Sequence, residues 1–135
     1  MKHLLKIEEA AQLAAAIAWL YLLPFEFSWY VWILLFLLPD ISMAGYLGGT
    51  KTGAVTYNII HHKASGLVVL LVGLYAGAPV VCLIGLLLFA HSAFDRMLGY
   101  GLKYSDSFQH THLGRIGNNK TNKTFIEPLA TPAAD

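Results

Sequence analysis

The sequence predicts an all-α membrane protein: a four-transmembrane-helix, up-down-up-down bundle with a short cytoplasmic C-terminal segment. Three observations carry this. Of 135 residues, 56% are hydrophobic and only 13% charged, where soluble domains carry about 25% charged residues. So few charges cannot coat a water-facing surface. Second, the apolar residues fall into four runs, each close to the roughly 20 residues that cross a hydrocarbon core. Third, Lys and Arg lie almost entirely on one side of those runs once their directions alternate.

The first run extends from about Ile7 to Leu23 and is closed by Pro24; the second covers about Ser28 to Leu47. The third covers about Ala54 to Tyr75 and the fourth about Pro79 to Tyr100. None shows the alternation of a membrane barrel strand, and helices satisfy their own backbone in lipid. The connections PFEF, GGTKTG and GAP are short, which makes successive helices antiparallel neighbours. The N-terminal MKHLLKIEEAAQL has acidic residues ahead of its apolar stretch, so no cleaved signal is expected. Small-residue spacings at Gly45–Gly49, Gly49–Gly53 and Gly73–Gly77 suit close helix approach.

With the N-terminus inside, Lys2, Lys6, Lys51, Lys103, Arg115, Lys120 and Lys123 all fall on the inner side. The outer connections hold no Lys or Arg, and Glu26 is their one charged residue. This asymmetry predicts cytoplasmic termini. Trp19, Tyr21, Trp29, Tyr30 and Trp32 gather around the first outer connection, as an interfacial belt does. Residues 1–117 form the expected transmembrane domain with an ordered C-terminal motif. Residues 118–135 are expected to be a flexible tail. The formal net charge of +1 suggests no nucleic-acid partner. The lone Cys82 excludes an internal disulfide.

Alternating directions bring polar groups to a common depth. Asp40 lies in the inner half of the second span. Asn58, His61 and His62 lie two to three turns into the third, and His91 and Asp95 in the inner half of the fourth. Ionisable groups inside a bilayer are costly and normally face one another or a water cavity. His91 and Asp95 share a helix face, as do Asn58 and His62. His61 and His62 are about 100° apart, so at most one points straight into a site. Lys63 departs further, free to snorkel or to pair with Asp40.

Imidazole with carboxylate is a ligand set for zinc, iron or manganese. It is also a proton relay, and histidines on two facing helices could ligate haem or a pigment. A hydrogen-bonded packing cluster is the alternative without ligand. Arg96 and Lys103 suit a helix C-terminus and the inner phosphates.

The stretch AHSAFDRMLGYGLKYSDSFQHTHLGRIG (residues 90 to 117), with LLPDISMAGYLGG and GAVTYNIIHH before it, resembles a family of small bacterial membrane proteins of unknown function. The resemblance implies motif positions at Asp40, Tyr57, Asn58, His61, His91, Asp95, Arg96, Lys103 and His112. It favours His61 over His62 and His112 over His110, and implies a bacterial inner-membrane location. The expected divalent-metal ligands are His61, His91, Asp95 and His112, with Asp40, Tyr57, Asn58 and Arg96 in support. The expected function is an intramembrane site acting on a lipid-soluble substrate. The alternative is a non-enzymatic small subunit or assembly factor, with a larger membrane complex or a second copy as partner.

Overall fold

The computed structural model describes residues 1–117. The expected tail, residues 118–135, lies outside the described residues. Among the described residues five α-helices form: α1 (Lys2–Leu22), α2 (Trp29–Leu37), α3 (Thr50–His61), α4 (Lys63–Ala76) and α5 (Pro79–Leu98). A 3₁₀ segment, Leu38–Gly48, follows α2 directly. Two-residue strands β1 (His110–Thr111) and β2 (Gly114–Arg115) pair antiparallel in the C-terminal segment.

Helix α5 is the hub, packed mainly against α4 and α1, while α3 packs chiefly on the 3₁₀ segment. The buried core is Leu20, Leu70, Cys82, Leu83, Leu86 and Leu87. Glycines set the α4–α5 distance. A Cβ on Gly66 would lie 2.7 Å from Phe89 N, and one on Gly73 2.6 Å from Cys82 N. Both are inside van der Waals contact, so alanine at either position pushes the helices apart. Of the expected small-residue positions, Gly73 makes such a contact, and Gly45 and Gly53 make theirs between the 3₁₀ segment and α3, against Thr56 and Tyr46. Gly77 instead ends α4 in the left-handed conformation.

By length and composition, two stretches could cross a membrane: Trp29–Gly48 and Pro79–Leu98. A third exists if α3 and α4, bent by 48° at their junction, count as one broken span. Helix α1, with Lys6, Glu8 and Glu9 in its first half, does not qualify among the described residues.

Two expected spans are thus not continuous α-helices. In the second, Pro39 lacks the N–H that would bond to Leu35 O, and its ring opposes an α-turn there. The backbone passes into the 3₁₀ form at Leu38. In the third, His62 is extended (φ −87, ψ 124) and its Nδ1 accepts the Ala64 N–H at 3.2 Å. A side chain that satisfies an orphan N–H is an N-cap, so α4 starts afresh after it. Lys63 pairs with Glu9 and donates to Gln12 Oε1 at 2.8 Å. It therefore ties α4 to α1 rather than meeting Asp40.

Candidate metal centre

The two breaks free the carbonyls that orient the site. In a 3₁₀ run a carbonyl accepts from the N–H three residues on. For Phe36 that residue is Pro39, which has none. His91 takes the vacant acceptor, its Nδ1 lying 2.8 Å from Phe36 O. At the end of α3, His61 O no longer has a helical partner, and Arg96 donates to it at 2.9 Å. Arg96 also bonds Tyr100 O, closing α5.

His61 is fully buried and stacks on Tyr57, the ring centroids 3.8 Å apart. Its Nδ1 lies 3.1 Å from Tyr57 O and 3.5 Å from Ser42 Oγ. A carbonyl only accepts, so in both histidines the Nδ1 carries the proton. In the neutral tautomer each Nε2 then presents a lone pair. The two rings stand 4.9 Å apart, edge to face.

Both lone pairs meet one atom. Asp40 Oδ1 is 3.4 Å from His61 Nε2 and 3.3 Å from His91 Nε2. Asp95 stands on the other side, Oδ2 3.8 Å from His61 Nε2 and Oδ1 3.9 Å from His91 Nε2. Tyr57 Oη donates to Asp95 Oδ2 at 2.8 Å. His91 Nε2 is buried and has no hydrogen-bond partner among the described residues. Acceptors converge here with almost no donor between them. Such a cluster is stabilised by shared protons, by water reaching the 38%-exposed Asp40 side chain, or by a cation at its centre.

The two edges that meet at Asp40 have the length a small cation requires. Ligands about 2.0–2.1 Å from a tetrahedral ion stand about 3.3 Å from each other. The two Asp40 distances match that edge. Atoms of Asp40, His61 and His91 all lie within 4.8 Å of one another, so the trio could hold a metal ion. The Nδ1–H bonds to backbone carbonyls supply the outer support that ligating histidines ordinarily have.

The expected residues separate into groups. His61 and His91 meet, and Asp40, expected in support, is the atom they share. Asp95 borders the trio, held by Tyr57. His112 stands elsewhere: its Nδ1 accepts the Leu102 N–H at 2.8 Å. Burial, and then the nearby Arg96 charge, hold its pKa below the ordinary imidazole value. Asn58 serves the C-terminal segment, donating to Lys103 O at 2.8 Å and accepting from Lys103 N at 2.7 Å. Lys103 is buried, its Nζ 5.1 Å from the Tyr57 ring centre and 4.1 Å from that of Phe108. Burial pulls its pKa down. Sequence reasoning missed Ser42 and the Phe36 carbonyl. For the latter the signal was present in Pro39, three residues downstream.

The family described as "Domain of unknown function (DUF4260)" matches residues 2–116, and the chain belongs to it. No curated protein and no solved structure matches.

Proposed function

We propose that this DUF4260 chain is an inner-membrane metal protein whose site acts on a lipid-soluble substrate. The observation that carries this is the convergence of two imidazole lone pairs on one oxygen of Asp40, at the edge length of a tetrahedral site. His61, His91 and Asp40 would be the ligands. Asp95, fixed by the Tyr57 hydroxyl, would border a fourth position, which catalytic sites keep for water or substrate. Zinc, iron and manganese all suit nitrogen and carboxylate donors. The bound ion would supply Lewis-acid or redox chemistry.

The membrane setting rests on composition and on exposed apolar side chains. Trp29, Leu34, Leu67, Val68, Leu71 and Val72 all face outward. In this reading α1, α2 with the 3₁₀ segment, the α3–α4 pair and α5 are four spans, and both termini are cytoplasmic. Glu9 is tolerable in α1 because Lys63 neutralises it.

Titration of zinc into chelator-treated protein in detergent tests the site. Saturation at about one ion per chain is expected, lost in His91→Ala and kept in His62→Ala. Equal zinc binding by wild type and His91→Ala would contradict the ligand set. It would leave the cluster as a hydrogen-bonded packing element.

A further inference from the structure

A groove of about 1120 Å³ runs between α1 and α2, over α5. It ends at the α1–α2 connection, where Phe25 stacks on Phe27 at 5.5 Å and Phe27 meets Trp32 edge-on at 5.3 Å. Its lining is mainly apolar, with the Tyr21 hydroxyl and the Trp32 indole N–H as neutral polar groups and Glu26 at the connection as its only charged residue. Further along α2 it reaches Phe36 and Phe94, whose rings touch at 5.5 Å. Phe36 is also the wall of the metal centre: its ring lies 5.3 Å from that of His91, and its carbonyl holds His91 Nδ1. One aromatic ring thus stands between the groove and a ligand.

We infer that this groove holds a single hydrocarbon chain of a membrane lipid, which enters from the bilayer and lies against Phe36 beside His91. This rests on the metal reading for its chemistry and names the substrate class. Two features favour a chain over a protein segment. The groove continues the outward-facing apolar surface, since Ile33 and Leu37 both line it and are about half exposed. The α1–α2 connection, Leu23 to Phe27, also lines one end of it, so a helix about 10 Å across would have to displace that connection, whereas a slender chain fits beside it. From Trp29 to Phe36 the rise is about 10 Å. A chain of ordinary length therefore spans from the aromatic end to the site. The lining has no partner for an ionic group beyond Glu26, so the part of the lipid that enters must be uncharged.

The test uses the full chain in lipid nanodiscs containing a fatty acid with a photoactivatable diazirine along its chain. Adducts are mapped by mass spectrometry and metal is measured on the same samples. Adducts concentrated on Ile33, Phe36 and Phe94 are expected. Ile33→Trp, and separately Leu37→Trp, should cut them severalfold while leaving metal content unchanged. Adducts spread evenly onto Leu71 and Val72 of α4, and insensitive to both substitutions, would overturn the proposal. So would ready disulfide dimerisation of Ile33→Cys, which would place a second copy there. Groove labelling in metal-free wild type would support the lipid site and overturn the metal reading alone. Even labelling with metal bound would do the reverse.

Discussion

His91 donates its Nδ1–H to the main-chain oxygen of Phe36 across 2.8 Å, and that oxygen is free because Pro39 has no N–H to offer it. Replacing Pro39 by Ala supplies a competing N–H and restores helical propensity. The helix should become no less stable, yet His91 loses its fixed orientation. Losses of such outer support typically cost about 10–100-fold in metal affinity. A competition titration with a chromophoric chelator reads this directly. Unchanged affinity in Pro39→Ala would show that His91 is held by other contacts.

Tyr57→Phe removes the donor that holds Asp95 at 2.8 Å. A buried carboxylate left without that bond costs about 1–3 kcal/mol. Thermal unfolding of metal-free protein should show the loss. If the ion sits against Asp95, loading should recover part of it, because the cation then stabilises the carboxylate. Identical stability of Tyr57→Phe and wild type without metal would contradict the role given to this hydroxyl.

The Asn58 side chain pairs with both backbone groups of Lys103. Asn58→Ala leaves a buried N–H and C=O unpaired, at about 1–3 kcal/mol each. The segment from Leu102 to Gly117 should then open and become sensitive to protease, while α5 stays protected. Asn58→Asp keeps the acceptor and loses the donor, so its effect should lie between. Wild-type protease resistance in Asn58→Ala would show that the segment is anchored elsewhere.

The same segment should be pH-sensitive through His112. Its folded pKa is depressed, by burial first and by Arg96 second, so the fold prefers the neutral ring. Stability is then fully present above the unfolded value of about 6.5 and is lost as pH falls below it. The proton would enter at Nδ1, the atom that accepts the Leu102 N–H. Hydrogen exchange at Leu102 should accelerate as pH falls below about 6.5, beyond its intrinsic pH trend. His112→Ala should abolish that excess. An excess that persists in the variant would assign the effect to another group.

Much of this was legible in residue types and spacing. The apolar runs located the helical stretches, two or three of which are long and apolar enough to cross a membrane. The i, i+4 relation put His91 and Asp95 on one face, and depth brought His61 to them. What escaped depended on backbone breaks. Treating Ala54 to Tyr75 as one helix hid the cap at His62, which is exposed and serves Ala64 rather than the site. The 3₁₀ segment, with Asp40 in its first turn, likewise follows from Pro39. A uniform helix cannot show that Asp40 meets both imidazoles. The Lys63–Glu9 pair was missed for another reason: the partner is 54 residues away on α1, and only packing on α5 brings it close. Gly66 and Gly85 were passed over because close approach was sought only in short glycine spacings within one helix. Here the two glycines lie on facing helices.

The central claim is that His61, His91 and Asp40 hold a metal ion. Elemental analysis of the protein, isolated without chelator beside a His61→Ala/His91→Ala variant, tests it most directly. Wild type should carry about one zinc, iron or manganese ion per chain, and the variant essentially none while still inserting in the membrane, since insertion depends on the apolar runs. Metal-free wild type, or equal metal in both proteins, would contradict the account.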